Sequence, residues 1–303
     1  MNSVVVETGE AVTKVGSSVD DLPSVVFPTE RGTETERLRK ALDVYDERIF
    51  RLDGTREENT RPPLLLSVDS FLSREERRKL VEVCFEELGV PAVFLGKGPA
   101  LSAFSVEETT ALVVDCGHSF TRIVPVWNGH VMGGQSRTEA GGRRMTEMAE
   151  SILLEKRPDL AETTGKILDT RGKALWGYGE VVESFKESVM EIRSSGAQAN
   201  RQSVGYTLPD GTDVLTGDER YGIGECLFEK EFAACLEKSV SGCPENIQRV
   251  LLSKVLVVGG VSLCSGIEGR VEEEGRGRGM GMRLIETSRE DKKFSSWTGG
   301  SIL

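Results

Sequence analysis

Three short stretches carry residues whose types and spacing could do chemistry: VVVETGEAV at residues 4–12, ALVVDCGHSF at 111–120 and KVLVVGG at 254–260. Each is an aliphatic run ending in small residues, and in two of them an acid stands two residues before a glycine: Glu7 before Gly9, and Asp115 before Gly117. A strand that ends in such a turn offers backbone N–H groups to an anion. An acid at its end can hold a divalent cation or the water around one. Two hairpins of this kind facing each other, with a third glycine turn at Gly259 and Gly260, are what a nucleotide's phosphate chain and base need. The first hairpin sets a problem, because Glu10 follows Gly9 and puts a second carboxylate where phosphate would lie.

Other chemistries are poorly supplied. His118 and His130 are the two histidines, and the six cysteines include no C-x-x-C pair. A zinc site or a Ser/His/acid arrangement is therefore not expected, and the cysteines read as reduced thiols. His130 follows Trp127-Asn128-Gly129 and reads as a strand residue after a hairpin turn. A net charge of −11 disfavours nucleic acid and anionic membrane and favours neutral or basic protein surfaces as partners. No apolar run reaches the ~20 residues that span a bilayer, and the N-terminus lacks a signal-peptide layout, so the reading is an intracellular protein.

The elements that must position these turns alternate in type. With 303 residues the chain has room for about two domains. SVVVE and LLLSV read as buried strands, and between them residues 29–62 are charged, with one amphipathic patch around Leu38, Leu42 and Ile49. From Ser73 a helix is predicted: Ser73 caps it, Glu76 completes a capping box, and Leu80, Val81, Val83, Cys84, Phe85 and Leu88 share a face before Gly89. PAVFL is a strand, and 111–132 reads as strand, tight turn, strand, Asn128-Gly129 turn, strand. Helices are expected after Gly141-Gly142, with Met145, Met148, Ile152 and Leu153 as one stripe, and around Val181 to Ile192, ending in the polar loop RSSGAQANRQ. YTLPDGTDVL reads as two strands about Pro209-Asp210-Gly211. Helical pieces surround Phe232–Leu236 and Ile247–Leu252, EEEGRGRGMGMR reads as a mobile connector, and GGSIL at the end as a strand.

In this order and company the stretches resemble a known family. VVVETGEAVTKVGSSVDDLPSVVFPT, PAVFLGKGPALSAF, ALVVDCGHSFTRIVPVWNGHVM, VLVVGGVSLCSGIEGR and KKFSSWTGGSIL are similar to the successive signature segments of the actin superfamily, from Val4 to Leu303. Within it, PAVFLGKGPALSAF and the KKFSSWTGGSIL ending look most similar to the nuclear actin-related proteins of chromatin-remodelling and histone acetyltransferase complexes. The resemblance implies an α/β actin-like ATPase fold, with two duplicated lobes around a central nucleotide cleft. The first lobe would comprise 1–105 plus 294–303, with a reduced outer subdomain at about 30–63. The second would be 106–293, with an insertion at about 141–238.

It also implies roles residue by residue. ATP with Mg is the ligand expected of the family. Gly9, Lys14, Asp115, Gly117, Lys186, Glu187, Gly259, Gly260 and Lys293 match its nucleotide-binding positions, with Asp115 on the metal side. Plainer roles remain open beside these: a solvated lysine at 14, an exposed helix pair at 186 and 187, strand-to-helix packing at 259 and 260. Departures point away from catalysis. Glu10 replaces a small hydroxyl residue at the terminal phosphate, where like charges at ~4 Å repel by roughly 4 kcal/mol at an effective dielectric near 20. His118 replaces an acid and Ser119 a glycine, while Gly98 stands where the family places the glutamine that orients the attacking water. No catalytic residue is expected, so the chain reads as a non-enzyme.

The short 29–64 segment and an end at Leu303, without the family's terminal helices, argue against self-polymerisation. The implied partners are actin or another actin-related protein, a helical scaffold segment of a remodelling ATPase or acetyltransferase subunit, and histones. No membrane and no sequence-specific nucleic acid are expected, and the location would be the nucleus. The competing reading is a cytoplasmic, ATP-binding cytoskeletal relative with polymer-linked hydrolysis.

Overall fold

The computed structural model describes residues 2–53, 61–163, 177–193 and 203–303. Residues 54–60 of the charged segment, the side chain of Ile49, and the RSSGAQANRQ loop after Arg193 lie outside the described residues.

In the first half the order is β1 (Val4–Thr8), β2 (Val12–Ser17), β3 (Val25–Pro28), α1 (Glu34–Asp53), β4 (Leu64–Val68), α2 (Arg74–Glu82), β5 (Val93–Lys97) and α3 (Gly98–Phe104). The strands form one sheet in the order β3-β2-β1-β4-β5: an antiparallel meander of three, then two strands parallel to β1. Alternation of side chains sorts the sheet's faces. Val4, Val6, Val15, Leu64 and Leu66 bury against Leu38, Ala41 and Leu42 of α1 and Leu80 of α2, whereas Val5 and Leu65 face Leu101 and Trp297. The amphipathic patch of the charged segment is thus a helix laid on this sheet.

The predicted capping box of α2 forms: Glu76 N–H donates to Ser73 Oγ at 3.2 Å, and Ser73 N–H donates to Glu76 Oε2 at 2.8 Å. A π-turn over Val83–Glu87 then shifts the register before Gly89 (φ +61°). That shift turns Phe85 out to solvent, away from the buried face expected for it.

The second half repeats the plan. Its elements are β6 (Ala111–Cys116), β7 (Thr121–Trp127), β8 (His130–Val131), β9 (Ser136–Thr138), α4 (Gly142–Lys156), α5 (Leu160–Thr163), α6 (Tyr178–Val189), β10 (Val204–Thr207), β11 (Asp213–Thr216), α7 (Glu219–Glu225), α8 (Lys230–Ser241), α9 (Glu245–Leu252), β12 (Val255–Val258), α10 (Ile267–Gly277) and α11 (Arg289–Ile302). β7 lies antiparallel to β6 and carries both β8 and β9, while β12 runs parallel to β6. Leu284 adds a parallel bridge to Val255 at the place β5 holds in the first sheet. A meander of three followed by parallel neighbours therefore occurs twice, which is the duplication expected. β10 and β11 form the separate hairpin predicted around Pro209-Asp210-Gly211.

One layer is shared between the sheets. Leu101 of α3 packs on the first sheet, while Ala100 and Ala103 pack on Val113, Val124, Val126, Leu256 and Val258 of the second. α11 lies along α3, and its sequence explains the fit: Ser295 and Ser296, then Gly299 and Gly300 one turn on, form a ridge of small residues. A Cβ at Gly299 would stand 1.7 Å from the Leu101 carbonyl oxygen. Trp297 is fully buried and donates its indole N–H to Val5 O at 3.0 Å.

GGSIL is thus helical rather than a strand, because its glycines serve close helix contact rather than a turn. The first half of EEEGRGRGMGMR, expected as a connector, is the end of α10, anchored by buried Val271 and Gly275. Met145, Ile152 and Leu153 of α4 are buried with Ala149, which centres the stripe and leaves Met148 at its exposed flank. Among the described residues no helix is long and apolar enough to cross a membrane.

Candidate functional site

The ends of β1, β6 and β12 bring the three turns together. Glu7 and Lys14 are directly opposite in the β1–β2 register. Lys14 Nζ donates to Glu7 Oε1 at 2.8 Å and to Lys293 O at 2.8 Å, so it is buried and committed rather than solvated. Glu7 Oε2 is buried with no hydrogen-bond partner among the described residues. Gly9 is required by the turn itself, since a Cβ there would meet Val12 O at 2.5 Å. The Thr8 hydroxyl donates to Glu34 Oε1 of α1, which brings a further acid to this hairpin. Burial pushes the Glu34 carboxyl above its ordinary value, with Asp69 and Glu10 adding to the rise against Thr8 and Arg37.

In the second hairpin Gly117 N–H closes the turn on Phe120 O at 3.0 Å. The turn's carbonyls accept the first N–H groups of α4: Gly142 to Gly117 O at 3.0 Å and Arg143 to His118 O at 2.7 Å. Gly141 permits this approach, because a Cβ there would meet His118 O at 2.5 Å. Burial lowers the pKa of His118 despite the nearby Glu183, so the imidazole is neutral at neutral pH.

Asp115 sits beside a cation that sequence reasoning did not single out. Arg122 of β7 donates from Nε and Nη2 to Asp69 Oδ2 at 3.1 and 2.5 Å, and its Nη1 lies 3.8 Å from Asp115 Oδ2. Burial opposes the charge of Arg122, but Asp115 and Asp69 outweigh it and raise its pKa. Burial likewise raises Asp115, with Arg122 pulling the other way and Glu7 adding to the rise. The signal that could have found this group was an arginine inside the apolar strand TRIVPVW. A charge placed there must find a partner.

Of the remaining positions singled out in the sequence, Lys186 of α6 is buried, donates to Thr146 Oγ1 at 2.9 Å and pairs with Glu183, while Glu187 is exposed. The two do not form an exposed helix pair, because Lys186 is buried and only Glu187 is exposed. Gly259 adopts φ +95° and packs on β6, where a Cβ would meet Cys116 O at 2.5 Å and Asp115 Oδ1 at 2.7 Å. A Cβ on Gly260 would meet nothing within 4 Å. Lys293 joins the group through its carbonyl rather than its exposed ammonium. Gly98 starts α3, where a Cβ would lie 3.4 Å from Ser67 Oγ and Ser296 Oγ and 3.7 Å from Val68 O, and glycine itself offers no side chain there to orient a water.

These residues do not fit a triphosphate carried by a divalent cation. The carboxylate suited to the metal already faces a guanidinium, and unit charges ~4 Å apart repel by roughly 4 kcal/mol at an effective dielectric near 20, with more for a dication. The first hairpin adds the Glu34 carboxyl, with Glu10 near enough to raise its pKa, while Lys14 is spent on Glu7 and Lys293 O. Among the described residues no group of three or more His, Cys, Asp or Glu is arranged to hold a metal ion.

The duplicated sheets, the shared α3–α11 layer and the facing hairpins define an actin-type architecture. A family model described as Actin matches residues 47–303, and the chain belongs to the actin family. It is 27% identical over 286 residues to Actin-related protein 4 of Oryza sativa subsp. indica, covering 80% of this chain and 65% of that relative; the figures for subsp. japonica are the same. Actin-related protein 4 of Arabidopsis thaliana is 26% identical over 290 residues, covering 80% of this chain and 66% of that protein. The chain thus spans slightly less than two thirds of the length of these curated relatives.

Proposed function

We propose that the protein is a non-catalytic actin-related subunit that serves as a structural platform in a nuclear chromatin-remodelling or histone acetyltransferase complex. The observation that carries this reading is the state of the cleft. The actin architecture is present, but no side chain at Gly98 can orient a water, and the Asp115 carboxylate faces Arg122 where a metal would be needed. Orientation and charge stabilisation are most of what phosphoryl transfer asks of a protein. The similarity to proteins named Actin-related protein 4 supports the same direction.

On this reading the partners are a helical scaffold segment of a remodelling ATPase or acetyltransferase subunit, actin or another actin-related protein beside it on that helix, and histones. An amphipathic helix laid in a groove is an ordinary mode of such recognition. An adenine nucleotide, where held, is a structural ligand and not a substrate. Co-purification from the native cell tests the reading: a remodelling ATPase or acetyltransferase scaffold is expected, and recovery of microtubule-motor or membrane components alone would count against it.

A further inference from the structure

Arg122 and Arg137 stand opposite each other on β7 and β9. Both leave the second sheet to hold one loop of the first, Asp69–Phe71, just after β4. Arg122 grips Asp69 through two nitrogens, while the Arg137 guanidinium lies 5.0 Å from the Phe71 ring centre and 4.6 Å from that of Phe120. Both distances are within the range of cation–π attraction. Gln135 Nε2 reaches Ser70 O at 3.4 Å. Three consecutive residues of one sheet's loop are therefore held by three residues of the other.

Charge explains why the tie forms here. Asp69 and Asp115 come from different sheets, and Asp69 adds to the rise in the Asp115 pKa, so drawing the two acids together needs a cation. Lys14, the other cation near Asp115, is committed to Glu7 and Lys293 O. Arg122 supplies the charge from within the chain, and its remaining nitrogen points at Asp115. We propose that Arg122 is a built-in replacement for a divalent cation: it bridges Asp69 and Asp115 across the two sheets, with Arg137 stacked on Phe71 as a second tie, so that the cleft closes without metal or nucleotide. This goes beyond the platform role and does not rest on it.

Hydrogen exchange on the full chain tests it, read at the amides of Phe71 and Leu72, which donate to Asp69 Oδ1 at 2.9 Å and Asp69 O at 3.1 Å. In EDTA without nucleotide these amides should already be protected, and excess Mg-ATP should leave their rates unchanged. Arg122→Ala should speed them about tenfold, the scale of a lost charge-assisted hydrogen bond, with the amides of β1 and β4 unaffected. Asp69→Asn, close in shape, carries the same expectation if Arg122→Ala does not fold. Titration of the wild type with Mn2+, followed by electron paramagnetic resonance, should show no stoichiometric bound ion. Protection that appears only with Mg-ATP, unchanged rates in both variants, or one tightly bound Mn2+ lost in Asp115→Asn would each overturn the proposal. None of these results depends on which partner co-purifies.

Discussion

Replacing Gly299 by alanine tests the packing on which the two-sheet architecture rests. The added Cβ would stand 1.7 Å from Leu101 O, whereas ordinary contact begins at 3.4 Å, so α11 must move away from α3 by more than an ångström. Alanine favours a helix over glycine by about 1 kcal/mol, which opposes the damage. Overpacking a tight contact costs about 1–3 kcal/mol. A shift of that size also breaks the 3.0 Å bond from Trp297 to Val5 O and partly unseats a fully buried indole, adding about 1–2 kcal/mol. The net expectation is a loss of roughly 1–4 kcal/mol, read as a lower urea midpoint with unchanged slope. Gly277→Ala is the matched control, since Gly277 is also helical and a Cβ there meets nothing within 4 Å. That variant should be neutral or more stable by up to about 1 kcal/mol. Equal stability of the two variants would refute the seating of α11 on α3.

Glu34→Gln should raise the melting temperature at pH 7, and the gain over wild type should vanish as pH falls below the ordinary glutamate value. Burial raises the folded-state pKa of Glu34, so the fold favours its protonated form and loses stability as pH rises through that raised value. A pH-independent difference would mean that Glu34 does not carry the burial penalty. His118 has the opposite sign: its lowered folded pKa gives stability that is present above the ordinary histidine value of 6.5 and lost as pH falls through the folded one. His118→Gln should therefore flatten the fall in melting temperature on acidification, and an unchanged slope would contradict this. Glu10→Ser should tighten binding of metal-free ATP by about tenfold in calorimetry, because it removes a like charge from the phosphate side. Unchanged affinity would mean that Glu10 does not oppose the phosphates.

Much of the frame is legible in the sequence because local chemistry and tertiary need agree there. Ser73 and Glu76 cap a helix whatever packs on it, Asn128-Gly129 turns a hairpin, and the runs at Val4, Ala111 and Val255 are apolar enough to be strands in any context. Misreadings occur where the context decides. The glycines of GGSIL resemble turn residues until α3 is placed against them, and Phe85 keeps helical spacing until a π-turn shifts it.

The site divides in the same way. Glu7, Lys14, Asp115, Gly259 and Gly260 could be named from strand-then-glycine turns and from the family resemblance, and the structure brings them together. Glu34 reads as an ordinary acid at a helix start, and Asp69 as a polar residue after a strand. Their meeting with Thr8 and Arg122 joins segments 26 and 53 residues apart, which no local pattern encodes.

Phosphate release from ATP by the purified full chain bears most directly on the claim that this actin-family cleft does not turn over nucleotide. With Mg2+ present, release should not exceed that of the EDTA control. Sustained Mg2+-dependent release that disappears in Lys14→Ala or Asp115→Asn would contradict the account.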